Sequence, residues 1–152
     1  MRLFDARDNV FAAMGRGAAA GVVGTAAMTL SSTLEAKLRN RGASSAPADA
    51  AGKVLGVEPK NPEGEQRFSN VAHWGYGTGW GVARGLLGRT GLSPGPATAA
   101  HLALVWGTAA VMLPALDVAP PAWRWGGEEV AIDLVHHSVY AGATGLAYEA
   151  LP

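Results

Sequence analysis

Four apolar runs recur along the chain and are separated by shorter polar segments. The run from 17 to 34 contains no ionisable side chain, and the run from 97 to 116 contains His101 alone. Each approaches the roughly 20 residues that an α-helix needs to cross the hydrocarbon core of a bilayer. The runs from 68 to 83 and from 134 to 148 are shorter and carry polar residues. This pattern predicts an all-α fold, a four-helix transmembrane bundle in which the two weaker segments turn their polar sides inward.

The chain is expected to form a single integral membrane domain over residues 1–152. Its spans are predicted at about 12–34, 67–88, 96–116 and 128–149. Residues 35–66 form the longest connection, in which the stretch SSAPADAAGKVLG has helical spacing and begins with Ser, a residue type that commonly caps a helix N-terminus. The sequence therefore predicts a short amphipathic helix in this first connection, lying on the membrane surface.

Composition narrows the choice of surroundings and partners. Charged residues make up 16% of the 152-residue chain, compared with roughly 25% in typical soluble domains. The 12 Lys and Arg residues balance 12 Asp and Glu residues, so no basic excess points to nucleic acid as a partner. A soluble Ala- and Gly-rich helical domain is the alternative fold, but its helices would need polar outer faces, which the first and third runs lack. The expected partner is therefore the lipid bilayer.

Small residues recur at helical spacing within every predicted span. Water does not drive helices together in lipid, so packing there relies on small residues that let backbones approach closely. The glycines predicted to mediate this packing are Gly17, Gly21 and Gly24 in the first span, Gly77 and Gly81 in the second, Gly107 in the third, and Gly142 and Gly145 in the fourth. Each span is therefore expected to have a close-contact face.

Ionisable and amide side chains concentrate near one membrane face. Successive spans alternate in direction, so the end of the first span and the starts of the second and fourth lie on that face. There the polar stripes of the second and fourth spans are expected to face each other. By contrast, His101 is expected near the opposite face, and Arg84 is expected to extend to the boundary there. The predicted cluster comprises Glu35, Asn70, His73, Glu129, Asp133, His136 and His137.

Three interpretations of this cluster compete. The first is structural, with hydrogen bonds between His, Asn and carboxylate side chains that fix the helix packing. The second is proton sensing or relay, because imidazoles beside carboxylates titrate near neutral pH. The third is a transition-metal site with His73, Asp133 and His137, or His136 in place of His137, as the ligands, or a haem held by His73 with His136 or His137, since His and carboxylate ligands suit Zn, Fe or Mn. The absence of Cys excludes thiolate ligands, and no metal-binding spacing such as HExxH supports the third interpretation.

These interpretations lead to one favoured function and two alternatives. The favoured function is a non-enzymatic, small multi-pass membrane protein without a cofactor, which acts as a homo-oligomer or as an accessory subunit beside other membrane subunits. Its cluster holds the helices together, or senses or relays protons. The first alternative is a metal- or haem-binding membrane oxidoreductase, and the second is a small transporter or channel subunit. No catalytic residue is predicted, because the sequence contains no phosphate-binding loop, dinucleotide fingerprint or nucleophile elbow.

The segment PALDVAPPAWRWGGEEVAIDLVHHSVY, which begins at Pro114, resembles the YagU-type family of bacterial inner-membrane proteins. In that family a Pro-Pro turn with a nearby Trp precedes a last helix that contains an acidic residue, three further residues, His and then an aromatic residue. Asp133, His137 and Tyr140 would occupy those places here. The resemblance covers roughly the last 40 residues and implies a four-span protein of the bacterial inner membrane, with no established activity.

Overall fold

The computed structural model describes residues 9–42 and 44–152, and within these ranges every regular element is a helix. The α-helices are α1 (Val10–Leu38), α2 (Ala46–Leu55), α3 (Pro62–Leu87), α4 (Pro94–Ala115) and α5 (Gly127–Ala150), and a 3-10 turn over Ala122–Arg124 precedes α5. The prediction of an all-α fold is confirmed. The first connection contains a helix, α2, where the sequence predicted one.

Local sequence explains where the helices begin and end. The side chain of Asn9 accepts a hydrogen bond from the Phe11 amide (2.9 Å), and that of Asn61 accepts one from the Gly64 amide (2.8 Å). These caps satisfy amides that have no partner within the first turn of a helix. α2 ends at Gly56, whose φ of 64° lies in the left-handed region that glycine adopts without steric cost. The helices therefore take their bounds from short-range signals.

Helix α1 is the main packing partner of both α3 and α5. It contacts each of them far more extensively than α3 and α5 contact one another, whereas α4 packs mainly on α5 and α2 packs on α3. The polar stripes of the second and fourth spans therefore meet only in part, since Tyr140 donates to the Gly77 carbonyl O whereas His73 and His136 turn to α1. The reason is steric, because the glycines of α1 let both neighbouring helices approach it closely.

The contact between α1 and α3 is made by backbone atoms. A Cβ placed on Gly21 would lie 2.8 Å from the Gly81 Cα and 2.9 Å from the Gly77 carbonyl O, distances that real Cβ atoms essentially never show. A Cβ on Gly81 would in turn overlap the Gly17 carbonyl O. Only residues without a Cβ therefore allow these two helices to lie at this separation.

Two further predicted glycines pack closely, and two do not. A Cβ on Gly24 would lie 2.8 Å from the Tyr140 carbonyl O of α5, and one on Gly145 would overlap the Thr98 hydroxyl of α4. Gly107 and Gly142 face open space, so the predicted packing role is wrong for both. Each lies off the buried stripe of its helix. In α4 this stripe runs through Ala97, His101 and Val105. In α5 it runs through Tyr140, Ala141, Thr144, Gly145 and Tyr148.

The interior of the described structure combines small and aromatic residues with polar side chains, and many large aliphatic side chains lie outside. The largest fully buried side chains are Thr25, Arg84, His101 and Thr144. Large aliphatic side chains point outward on all four long helices and are 71–76% exposed: Leu30 73%, Val71 71%, Val111 71% and Leu146 76%. Soluble proteins bury Leu, Ile, Val and Phe and expose charged groups. This bundle departs from that distribution in its buried Arg84 and His101 and in its exposed Leu and Val side chains.

Two helices of the described structure are long and apolar enough to cross a membrane. They are α1, with a mean hydropathy of 1.3, and α4, with a mean hydropathy of 1.4. Helices α3 and α5 are 26 and 24 residues long but do not meet the same criteria. Association with a membrane is thus indicated by two helices, and the four predicted spans remain a prediction.

Replacing Gly81 with Ala is expected to destabilise the bundle by about 1–3 kcal/mol, the usual cost of overpacking, because the new Cβ would force α1 away from α3. Gly79→Ala is the matched control, since a Cβ at Gly79 meets open space and Ala favours a helix over Gly by about 1 kcal/mol. Unfolding of the purified protein in detergent, followed by circular dichroism, measures both variants. Equal stability of the two would contradict the backbone contact.

Candidate functional site

Two histidines of the predicted cluster bind hydroxyl groups of α1. His73 Nε2 lies 2.8 Å from the Thr29 Oγ1, and His136 Nδ1 lies 2.8 Å from the Ser31 Oγ. The Thr29 hydroxyl donates its proton to the Thr25 carbonyl O (2.7 Å), so it accepts from His73. His73 is therefore a fixed hydrogen-bond donor, whereas the Ser31 hydroxyl is able to donate to His136.

Asp133 and His137 take partners away from α1. The Asp133 carboxylate accepts a hydrogen bond from Trp106 Nε1 of α4 (2.8 Å). His137 Nδ1 donates to the Asp133 carbonyl O one turn earlier in its own helix (2.9 Å). Asn70 is exposed on α3 and therefore lies outside any buried cluster. Trp106 was missed by the sequence analysis, since no periodicity indicates which face of α4 meets α5.

The predicted metal site is not formed. His73 is directed to α1, the Asp133 carboxylate to α4, and His137 to the backbone of its own helix. Among residues 9–42 and 44–152, no three His, Asp or Glu side chains come together in a way that could hold a metal ion. A transition-metal site needs at least three protein ligands around one position, and the three proposed ligands do not converge.

A network of charged side chains closes the end of the bundle at which α1 ends and α5 begins. Arg41 Nε lies 2.9 Å from Glu35 Oε1, and Arg39 Nη1 lies 3.1 Å from the same oxygen. Arg39 also pairs with Glu129 and, at 3.4 Å, with Glu128. We call these five residues the charged network. It joins α1 to α5 and to the start of the first connection.

The charged network holds Glu35 ionised. The Arg41 guanidinium, and after it that of Arg39, lowers the pKa of the Glu35 carboxyl from 4.5 to about 2, although partial burial opposes the shift. The same contact raises the pKa of Arg41. Glu35 lies just beyond the predicted first span, at the boundary. Its carboxylate is therefore a permanent negative charge at neutral pH.

His136 lies where the charged network meets the interior. Its ring is buried, and its Nε2 has no hydrogen-bond partner and lies 3.7 Å from Glu35 Oε2. When the Ser31 hydroxyl donates to Nδ1, the proton of the neutral ring is on Nε2 and faces Glu35. We call Ser31, Glu35 and His136 the histidine centre.

A second polar group of residues lies at the opposite end of the bundle. Arg84, expected at the boundary, is 0% exposed, and its Nη2 lies 2.8 Å from Glu149 Oε1. The guanidinium carbon of Arg84 is 4.5 Å from the centre of the Tyr148 ring, and that of Arg16 is 4.4 Å from it. We call Arg16, Arg84, Tyr148 and Glu149 the arginine centre. Sequence analysis missed it because its members come from three helices.

His101, the other imidazole of that half, is fully buried between helices. Its Nε2 donates to the Trp80 carbonyl O of α3 (2.9 Å), and its ring centre lies 5.5 Å from that of Tyr140. Tyr140 in turn donates to the Gly77 carbonyl O. These bonds join α4, α3 and α5 in the half that the predicted cluster does not reach.

Comparisons of the chain with family models, with curated proteins and with solved structures found no match. The function is therefore argued from the geometry of the two centres. The resemblance of the C-terminal segment to the YagU-type family stays a prediction.

Lowering the pH from about 4.5 to about 2 is expected to remove the contribution of Glu35 to stability. Its folded pKa lies below the ordinary value, so that contribution is complete above pH 4.5 and is lost as the pH falls through about 2. Glu35→Gln should be less stable than the parent protein at pH 7 and should converge with it near pH 2. Midpoints of thermal unfolding in detergent, taken across this range, measure the difference.

Glu63→Gln is the control for this series. The Glu63–Arg67 pair lies 3.7 Å apart with both side chains more than four-fifths exposed, and exposed pairs of this kind add little to stability. Its pH profile should follow that of the parent protein. A Glu35→Gln profile parallel to the parent profile at every pH would contradict the assigned role of the charged network.

Proposed function

We propose that this chain is a small multi-pass protein of the bacterial inner membrane that responds to proton concentration through His136. In this proposal α1, α3, α4 and α5 cross the bilayer and α2 lies at its surface. The protein acts as an accessory or self-associating subunit and carries no metal. The observation that carries the proposal is a buried imidazole with one unpartnered nitrogen beside a permanently ionised carboxylate.

The placement of polar and apolar groups supports four spans. Only 17% of the most apolar window of α4 is buried, whereas a core helix of a soluble protein would be mostly buried. Helices α3 and α5 carry polar residues, but those that are buried, such as Arg84 and His136, point inward, and Val71 and Leu146 point outward. Polar side chains within a membrane face the bundle interior in this way.

The charge balance at the histidine centre supports a response to protons. The charged network contains three carboxylates, of Glu35, Glu128 and Glu129, and two guanidinium groups. One negative charge is left over. Protonation of His136 supplies the missing positive charge at 3.7 Å from Glu35, and His is the side chain whose ordinary pKa lies nearest to neutral pH.

Protonation also reverses one hydrogen bond. Neutral His136 accepts at Nδ1 from the Ser31 hydroxyl, whereas the imidazolium carries protons on both nitrogens and must donate to Ser31. The Nε2 proton faces Glu35 in both states, but the positive charge that the ring gains makes it a stronger competitor of Arg41 for the Glu35 carboxylate. Because Arg41 lies in the connection between α1 and α2, the change at His136 reaches the segment that leads to α2. This is how a buried proton would alter a surface that another subunit contacts.

The other histidines lack this combination. His73 is a fixed donor to Thr29, and His137 donates to its own helix. His101 has an unpartnered Nδ1, but among the described residues the ion pairs of histidine with a carboxylate involve only His136 and His137. His136 alone among the four histidines has both a reversible hydrogen bond and a carboxylate within 4 Å that belongs to another helix.

His136→Gln is expected to abolish the proton response. In protein labelled with ¹³C and ¹⁵N, the backbone amide signals of Arg39 and Arg41 should shift together with the His136 ring signals when the pH is varied from about 8 to about 5. In His136→Gln those amide signals should no longer change over this range. Heteronuclear NMR of the protein in nanodiscs measures both.

His73→Gln is the matched control, since it replaces a buried imidazole that also binds an α1 hydroxyl but faces no carboxylate in the network. The amide signals of Arg39 and Arg41 should titrate in this variant as in the parent protein. Persistence of the titration in His136→Gln, or its loss in His73→Gln, would show that His136 is not the sensor.

A further inference from the structure

Arg84 is buried with most of its hydrogen-bonding capacity unused. Its side chain is 0% exposed, Nη2 contacts Glu149 at 2.8 Å, and Nε and Nη1 have no hydrogen-bond partner in the described part of the chain. A guanidinium stays charged in proteins, and a buried donor left without a partner is costly. A guanidinium binds an oxyanion in a bidentate manner through Nε and Nη2 or through Nη1 and Nη2. Because Nε and Nη1 are unused, each of these two pairs has one free nitrogen.

A second cation is held beside the first. Arg16 of α1 donates from Nε to the Tyr148 carbonyl O (2.7 Å), and both guanidinium groups lie within 4.5 Å of the Tyr148 ring centre. The negative face of an aromatic ring attracts cations, so Tyr148 holds together two groups that repel one another. Arg16 is half-buried and brings positive charge to the surface.

The charges of the arginine centre do not cancel. Among residues 9–42 and 44–152, the two guanidinium groups of the centre meet one carboxylate, that of Glu149, whose side chain is 46% exposed. The end of α5 follows at Ala150, so this carboxylate is able to swing into the surroundings without breaking the helix. It is thus an exchangeable partner of Arg84, and it occupies the position at which an oxyanion from outside would bind.

We propose that the arginine centre binds a phosphate group, with Arg84 and Arg16 as its ligands and Glu149 as the carboxylate that it displaces. Phosphate matches the planar donor fork of arginine and the surplus positive charge. Two sources share this chemistry, the headgroup of an anionic phospholipid and free inorganic phosphate. If the helices span the membrane as proposed above, the centre lies at the level of the headgroups; binding of free phosphate does not depend on that arrangement.

The test uses the full chain purified in detergent with two probes. Inorganic phosphate is titrated against the thermal unfolding midpoint, with chloride at equal ionic strength as the reference. Phosphatidylglycerol is titrated in native mass spectrometry, with phosphatidylcholine as the reference. A saturable response to phosphate alone assigns a soluble anion, a response to phosphatidylglycerol alone assigns a lipid headgroup, and no saturable response to either probe overturns the proposal.

Three variants locate the response. Arg16→Gln should weaken binding roughly tenfold, as expected for loss of one charge-assisted interaction. Glu149→Gln removes the competing carboxylate and should strengthen binding several-fold, an effect that mere loosening of the bundle would not produce. Arg67→Gln, which removes an exposed cation at the other end of α3, should leave binding unchanged.

The result that overturns the site is equal binding by Arg16→Gln, Glu149→Gln and the parent protein. Arg84→Gln should abolish binding, and because Arg84 is fully buried its fold is checked first by circular dichroism. If it does not fold, the opposite effects of Arg16→Gln and Glu149→Gln decide the matter. The NMR titration of His136 is independent of these measurements, so failure of one proposal leaves the other standing.

Discussion

Direct contact between the backbones of α1 and α3 is the constraint on which the rest of the structure depends. Glycines on both helices permit it, and no side chain intervenes between Gly21 and Gly81. Helices α1 and α3 run antiparallel and in close contact. Moving one turn towards the C-terminus of α1 therefore corresponds to moving one turn towards the N-terminus of α3. Thr25 therefore lies against Gly77, and Thr29, one turn on, meets His73. The register of the glycines fixes the partner of the imidazole.

The same reasoning applies to the pairing of α1 with α5. Gly24 lets α5 approach at Tyr140, so that moving towards the end of α1 brings Ser31 to His136 and Arg39 to Glu129. Polar side chains are thereby placed at matching depths, and their hydrogen bonds offset part of the cost of burying them. The burial of these polar side chains is a consequence of small-residue packing. Where two helices meet through Gly and Ala, the larger side chains on either side of that contact lie against one another.

The sequence was sufficient to predict the helices, the extra helix in the first connection and close packing at Gly17, Gly21 and Gly81. These depend on periodicity and residue size, which are local properties. It was not sufficient to predict that α1 packs on both α3 and α5. Periodicity identifies a helix face made of small residues but does not indicate which other helix packs against that face. Arg84 was misplaced for a related reason: depth along a helix was counted, but its burial comes from Tyr148 and Glu149 on another helix. Likewise, the predicted ligand set of His73, Asp133 and His137 requires three side chains that point to one position. The orientations of α3 and α5 about their own axes do not provide this.

The two centres differ in sign and are connected by two helices, α1 and α5. Arg16 belongs to the centre with surplus positive charge and Glu35 to the network with surplus negative charge, and both lie on α1, which continues without a break from Val10 to Leu38. If α1 slid along α3, other residues would move into the positions that the glycines now occupy. Those positions have no space for a Cβ. A change of charge at either end can therefore move α1 only as a rigid body, by tilting about its glycine contacts. Coupling through α1 between a proton at His136 and an anion at Arg84 must act by that tilt, and α5, which carries His136 near one end and Glu149 at the other, is the second helix that joins the two centres.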